Sequence, residues 1–481
     1  MTAHALLPRL LPGIFFLCLV LLSILLNFNG LYGQDAHEYL RQSQVIFDRL
    51  HGLPAPLPGL GETEFAGVFP LAGALLRFLV GDAILALQIV AWLAAALGVF
   101  VFERLLTLLA PGARADSRWV YGGLGLMLAP MFLRSGLTSM SDGLGLALAL
   151  SAFFYGLRAL ESWRIRDIMA FAVFAAFSVS TRYALAALLL PLAVSGMYFL
   201  VLRKKWMGLA AGILVGGLAL LPHFWLKTGG AENPLGYSGL KVWSVANFFQ
   251  RSFEWADVGV THYRLPNLLY LFYPFAHPAF FLALPGLFFL YKKTDRLLLP
   301  KRILLICLGG YLLFLGGLKH QNLRYLLPAY TLLLLLLFPA WDRLYCYGFI
   351  FFRRLTSGIL IAALVIQLVF GVKYLLPVLK RHHLEKTVAA KLKEVLPSDA
   401  TLFAFDLDIA LHSYLPALKI QNLWIRRYAE FPVGSYVLFN EGLRPQWQGL
   451  NPILNWDELK VRHSLELKAE LPQGWGLWEI R

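Results

Sequence analysis

Charge and cysteine are the scarce ingredients of this chain. Charged residues make up 15% of the 481 positions, against about 25% in an ordinary soluble domain. The apolar share is 58% and the mean hydropathy +0.63, which excludes a single soluble globule and points to a polytopic membrane protein. The three cysteines, Cys18, Cys307 and Cys346, all fall in or beside apolar runs. A disulfide framework in the polar tail is therefore excluded, and cysteine spells no metal cluster. Acids are the rarer charge, 28 against 43 Lys and Arg, leaving a formal net charge of +15. From residue 378 onward the balance is 13 basic to 12 acidic residues. The excess therefore lies in the apolar part, in short clusters between hydrophobic runs. That distribution obeys the positive-inside rule and argues against nucleic acid as a partner. A small-residue cleavage site is missing after the first apolar run, so that run is expected to be retained as a span. A solenoid period and low-complexity tracts are also missing. The glycines at Gly122, Gly123 and Gly125 lie within an apolar run and lack the lysine of a phosphate loop.

What remains is a series of apolar runs separated by short polar turns. Runs at 11–28, 83–102, 119–133, 143–160, 168–179, 184–202, 206–226, 269–291, 303–318, 326–340 and 355–376 predict about eleven transmembrane helices. Basic clusters at Arg104, Arg114 and Arg118, at Arg158, Arg164 and Arg166, and at Arg203, Lys204 and Lys205 fall in alternate loops. So do Lys292, Lys293, Arg296, Lys301 and Arg302, and then Arg343, Arg353 and Arg354. That side is expected to be cytoplasmic, with the amino terminus on it. The opposite face receives a first loop at 29–82, a long loop at 227–268, three short turns and the carboxyl-terminal tail. In the first loop, residues 39–50 have helical spacing, 53–59 are too rich in proline to continue a helix, and 69–80 are apolar but too short to span upright.

From about residue 379 to 481 the composition changes. A helix at 384–396, a strand-like stretch at 401–405 and alternating stretches at 435–440, 464–471 and 477–480 predict a small α/β domain. The expected fold is thus mainly α: a membrane helix bundle over 1–378 and a small extracytoplasmic α/β domain over 379–481.

Almost every polar candidate falls on the non-cytoplasmic face. Asp35 follows directly on the first span, with Glu38 and Tyr39 behind it. A carboxylate at the mouth of a bundle can take the proton of a substrate hydroxyl, and Asp35 is read as such a base. Asp142 stands at the start of a span, where an N-cap role is the plain alternative. Arg182 and Tyr183 form one basic-aromatic edge, and Lys319, His320, Arg324 and Tyr325 another. Guanidinium forks suit a phosphate diester or pyrophosphate, while snorkelling to headgroups is the competing reading. Glu62 and Glu64 read best as a solvated loop, although an amine, a sugar hydroxyl or a metal are options. His37 could join Asp35 and Glu64 as a ligand, but one histidine with scattered acids is weak evidence for a metal. Trp243, Phe248, Phe249, Trp255 and Tyr263 in the long loop could stack on a sugar, interface aromatics being the default.

The order and shared sidedness of these motifs resemble the GT-C class of polytopic glycosyltransferases, the group of protein O-mannosyltransferases and bacterial aminoarabinose transferases. The resemblance rests on Asp35 to Tyr39, on Phe69-Pro70-Leu71, on Ser141-Asp142, on Thr181-Arg182-Tyr183 and on Arg324-Tyr325-Leu326-Leu327-Pro328. It implies inverting transfer of a sugar from a polyprenyl-phosphate donor to an acceptor hydroxyl, on a lipid, a glycan or a protein, at the outer face of a bacterial inner membrane. By the same resemblance Asp35 deprotonates the acceptor, Asp142 positions acceptor or donor, Glu64 lines the cavity, and Arg182 and Arg324 hold the lipid phosphate. Many relatives carry a second acid directly after the first; here Ala36 stands there. That departure weakens a paired-acid role and any metal site built on it. A divalent metal therefore stays open, with no residue assigned to it. Two alternatives stand beside this reading. One is a ligase or polymerase acting on undecaprenyl pyrophosphate, though the long loop holds few arginines. The other is a secondary transporter, which calls for inverted repeats and polar groups at midplane.

Overall fold

A computed structural model describes residues 3–53, 65–227, 241–255, 259–283, 298–346 and 350–481. The proline-rich stretch, Glu62, Glu64 and the basic residues at 292–296 lie outside the described residues. So do positions 228–240 of the long loop and the side chain of Trp255.

The chain divides into two compact units. The first comprises Met1–Gly30, Gln42–Phe249 and Asn267–Leu375; the second comprises Leu31–Arg41, Gln250–Pro266 and Leu376–Arg481. The helices of the first unit are, in order, α1 Ala3–Leu25, α2 Gly33–Leu50, α3 Val68–Val80, α4 Ala83–Leu109, α5 Pro130–Leu137, α6 Ser141–Ser162, α7 Ile165–Thr181, α8 Leu185–Leu202, α9 Trp206–Lys227, α10 Leu298–Gly316 and α11 Leu327–Cys346. They are followed by α12, Ile350–Val395. The first turns of α2 and the last turns of α12 belong to the second unit.

Among the described residues, seven helices are long and apolar enough to cross a membrane: α4, α6, α8, α9, α10, α11 and α12. The chain is a multi-pass membrane protein. One further pair of helices is apolar enough when taken together but sharply bent, a broken span or a re-entrant loop. Its first half is a π-helical stretch, Arg118–Leu124, with one α-turn after it, and its second half is α5, bent by 61° from the first. Pro130 at the start of α5 lacks the N–H that would continue the ladder, so the run expected to be one straight span at 119–133 is two pieces. Three other expected spans are not among these helices, for different reasons. The described apolar part of α1 is Leu10–Leu25. Helix α7 is 17 residues long, with Arg166 and Asp167 in its first turn. Residues 269–291 begin as short helical turns, Asn267–Leu271, Tyr273–Ala276 and Pro278–Ala283, and then leave the described residues.

Helix α6 packs on α4, α7 and α8, and α7 also packs on α9. Its small residues make this possible. Gly145 lies so close to α7 that a β-carbon there would meet Leu185 Cδ1 at 2.9 Å and Arg182 Cβ at 3.5 Å. The bent pair is fastened by a polar clamp. Tyr330 of α11 reaches Gln367 Oε1 at 2.8 Å and the Gly125 carbonyl at 3.2 Å, and Gln367 Nε2 donates to the same carbonyl at 3.1 Å. Such bonds satisfy backbone groups that the bend exposes in an apolar interior.

The second unit contains a hairpin, β1 Ser252–Trp255 and β2 Gly259–His262, and a five-stranded sheet. The sheet strands are β3 Thr401–Ala404, β4 Lys419–Asn422, β5 Tyr436–Asn440, β6 Leu465–Leu471 and β7 Trp475–Ile480, in spatial order β4-β3-β5-β7-β6. The β4-β3-β5 half is parallel and the β5-β7-β6 half antiparallel. Its core joins Phe403, Phe405, Phe439, Trp447, Trp456 and Trp475 to Val388 and Leu392 of α12. Two helices, α13 Asp408–Tyr414 and α14 Asn451–Arg462, complete it. The separate tail helix expected at 384–396 is instead the end of α12. Lys, Arg, His and Glu at 380–386 interrupt the apolar pattern but are good or neutral helix formers, so the change of composition does not end the helix. Strand β4 and the hairpin were not anticipated.

Candidate active site

Asp142 lies in the first turn of α6, on the described face of the first unit where three of the sequence motifs meet. Met140, extended at φ −128° and ψ 155°, is the residue that enters the helix, and it makes no side-chain cap. Asp142 is therefore not the N-cap. Its side chain is 8% exposed and is ion-paired through Oδ1 with Nη1 of Arg182, which follows the last turn of α7. Arg324 Nη1 stands 3.9 Å from the other carboxylate oxygen. Two guanidiniums, 13% and 17% exposed, thus converge on one acid.

Tyr325 makes this a compact cluster. The Arg182 guanidinium carbon lies 4.5 Å from the centre of its ring and that of Arg324 5.6 Å away. Cations over a phenol face are held by the ring quadrupole as well as by charge. His320 Nε2 is hydrogen-bonded to the Tyr325 hydroxyl at 3.0 Å, and Tyr311 donates to the Tyr325 carbonyl at 2.9 Å. Lys319 opens the same turn. Asn322 caps the short helix Leu323–Leu326 by accepting from the Arg324 N–H at 3.1 Å. The two basic-aromatic edges, read separately in the sequence, are one site, and Arg182 faces the tyrosine of the other edge. Tyr183 turns elsewhere, its ring 5.6 Å from that of His223.

The entry to α6 is set by close approach. Ser139 donates its N–H to the Gly30 carbonyl at 2.9 Å. Gly30, at φ +85°, touches the Ser139 side chain where any β-carbon would collide. Arg324 Nη1 also reaches Met140 Sδ at 3.3 Å. Arg134 of α5 lies within electrostatic range of Arg324, a third cation beside the pair.

In the second unit the acidic stretch is not a loop. Asp35 to Tyr39 form the first turns of α2, which begins at Gly33 rather than near Tyr39. An acid in a first turn is favoured by the helix dipole, and Asp35 occupies that place, partly exposed. Glu38 is held by Arg41 in a fork, 2.7 Å to Nε and 2.6 Å to Nη2. Tyr39 is buried. Glu385 of α12, fully buried, grips the start of α2: its Oε1 accepts the Gly33 N–H at 2.9 Å and its Oε2 lies 3.2 Å from His37 Nε2. Arg381 Nε donates to Glu385 at 2.7 Å, and Arg381 Nη1 donates to Asp406 at 2.6 Å. His37, a weak ligand candidate in the sequence, faces Glu385 instead. Among the described residues no group of three or more His, Cys, Asp or Glu could hold a metal ion. Of the loop aromatics, Trp243 donates to the Phe314 carbonyl at 2.9 Å and Phe248 is buried, so both serve packing.

Comparison with known proteins adds one finding. No family model matches the chain, and no curated protein does. Among solved structures, crystal structures of ArnT from Cupriavidus metallidurans, in the apo state and bound to undecaprenyl phosphate, superpose with a TM-score of 0.61. The alignment spans 96% of this chain and 97% of that one at 14% identity. The chain has the fold of ArnT. This is the GT-C fold that the motifs suggested.

Proposed function

We propose that the protein is a glycosyltransferase that moves a sugar from a polyprenyl-phosphate donor to an acceptor hydroxyl at the outer face of a bacterial inner membrane. The observation that carries the proposal is the convergence of Arg182 and Arg324 on Asp142 beside Tyr325, in a fold shared with a protein crystallised with undecaprenyl phosphate. In this reading the two guanidiniums bind the donor phosphate and stabilise the charge that it gains on leaving. Asp142, its oxygens turned to guanidinium, holds the arginines in place and does not take the proton. Asp35 takes it: the acceptor oxygen bonds to the anomeric carbon, the bond to the phosphate oxygen breaks with its electrons, and the hydroxyl proton passes to the carboxylate. Attack from the face opposite the leaving phosphate inverts the anomeric configuration. Glu385 and His37 support the turn on which Asp35 stands.

The test is mass spectrometry of envelope glycolipids and glycoproteins from cells with the chain, without it, and with Asp35→Asn. A hexose or pentose increment present only with the unaltered chain is the expected result. An increment that persists in Asp35→Asn removes Asp35 as the base, and one that persists in the deletion removes the activity.

A further inference from the structure

At the other end of α6 the first unit carries a feature that sugar transfer does not use. Helices α6, α7, α8 and α9 enclose an apolar groove of about 240 Å³, lined by Gly156, Phe171, Ala172, Gly196, Met197 and Ile213 among others. Trp163, which follows the last turn of α6, closes one end of it. About twenty residues separate Trp163 from Asp142, and at 1.5 Å per residue that is roughly the 30 Å of a hydrocarbon core. The groove therefore opens toward the opposite leaflet from the arginine pair.

The two turns at this end are built in an unusual way. Trp163 has φ 51° and Lys204 φ 55°, left-handed positions that helix ends normally give to glycine. The turn at Lys204 is closed by Lys205 N–H to Leu200 O at 2.8 Å, the bonding that glycine usually permits. The sequence thus accepts backbone strain to set an indole and an ammonium where glycine would serve. The Arg203 guanidinium lies over the Trp163 ring, 4.7 Å from its centre. Arg164, Arg203, Lys204 and Lys205 are all exposed around it. An apolar groove lined at one end by an indole, with a cluster of exposed cations beside it, is complementary to a molecule with an acyl chain and an anionic headgroup.

We infer that this groove binds an anionic phospholipid of the cytoplasmic leaflet, one acyl chain between α7 and α8 and the phosphate against Arg203 and its neighbours. The donor lipid also joins a chain to a phosphate, but its phosphate is assigned to Arg182 and Arg324, a bilayer's thickness away along α6. The basic turns are those that the positive-inside rule places in the cytoplasm, where such lipids face Lys and Arg.

Gly196 offers a clean probe, because a β-carbon there meets nothing within 4 Å. Gly196→Leu places a branched side chain in the groove from a β-carbon that touches nothing. Native mass spectrometry of the purified full chain, offered phosphatidylglycerol, phosphatidylcholine of the same acyl chains, or undecaprenyl phosphate, reads the outcome. Retention of one phosphatidylglycerol at least tenfold over phosphatidylcholine is expected. Gly196→Leu should lower that retention at least fivefold while the protein still elutes as a single species. Arg203→Ala with Lys205→Ala should abolish the preference between headgroups. Equal retention of the two phospholipids overturns the inference. So does unchanged retention in Gly196→Leu, or undecaprenyl phosphate as the lipid that both sets of substitutions release.

Discussion

A carboxylate shared by two guanidiniums holds them closer together than their mutual repulsion allows, and a phosphate can take over that function when it arrives. Asp142→Asn keeps the shape and removes the charge, so Arg182 and Arg324 should separate. The expected result is a rise in KM for the lipid donor, whereas Arg324→Ala, which on the proposed function removes a donor of hydrogen bonds to the leaving phosphate, should lower kcat by about a hundredfold. Steady-state kinetics with purified donor distinguish the two, and equal effects of both substitutions on kcat alone would contradict the division of roles. A different acid governs stability. Asp408, at the start of α13, is fully buried; burial raises its pKa to about 7, against the opposing hydrogen bond from Trp424 Nε1 at 2.9 Å. The folded form therefore holds the proton to higher pH than the unfolded chain, whose aspartate ionises near 3.9. The second unit should lose stability by about 1.4 kcal/mol per pH unit as pH rises from about 4 to 7, and level off above. Asp408→Asn should flatten that slope, as chemical denaturation followed by tryptophan fluorescence at several pH values would register.

Which residues were legible in the sequence depends on what surrounds them along the chain. Asp142, Arg182 and Arg324 stand out because each interrupts apolar sequence at the edge of a span, where a charge costs energy unless it is used. Glu385 and Asp408 sit among other charges in a polar tail and read as solvent-facing. Their burial comes from contacts with Gly33 and His37, some 350 positions earlier, and with Trp424. That Arg182 lies over Tyr325 rather than pairing with its neighbour Tyr183 is likewise a fact of folding, since both tyrosines follow an arginine in the same way.

Elements were readable where hydropathy alone decides and misread where capping does. Helix α2 begins at Gly33 because Glu385 receives the first N–H and Asp35 stands at the positive end of the dipole. Nothing within the local sequence supplies that acceptor. Glu385→Ala should leave the Gly33 N–H and His37 without their partner and fray the first turn of α2. Since that turn carries Asp35, kcat should fall at least tenfold with KM for the donor little changed, and amide exchange at 33–37 should accelerate. In an Asp35→Asn background the same substitution should cost nothing further, because the two act through one group. Gly145→Val tests the packing of α6 on α7. Its side chain would press on Leu185 and the β-carbon of Arg182, drawing the guanidinium away from Asp142 without altering either charge. A rise in donor KM in a protein that retains its helical content is the expected outcome, and an unchanged KM would show that Arg182 tolerates displacement.

At the scale of the whole molecule, sidedness links the parts of the proposal. On the proposed function the arginine pair must lie on the face where the donor's sugar is presented, and on the inferred lipid site the basic turns at Trp163 and Lys204 must lie on the other. Both follow from the distribution of Lys and Arg among short loops, which is a bias in composition and not a contact, so labelling is the way to test it. In a chain with Cys18, Cys307 and Cys346 replaced, a cysteine introduced at exposed Arg114 should react with an impermeant maleimide only after spheroplasts are opened. One at exposed Glu430, in the carboxyl-terminal region, should react in intact spheroplasts. Reaction of both from the same side would leave the number of crossings between them even and withdraw the orientation on which transfer at the outer face depends. Labelling of Arg114 from inside and Glu430 from outside means that the net charge of +15 reflects how the chain is inserted, with its excess Lys and Arg held in the cytoplasmic loops.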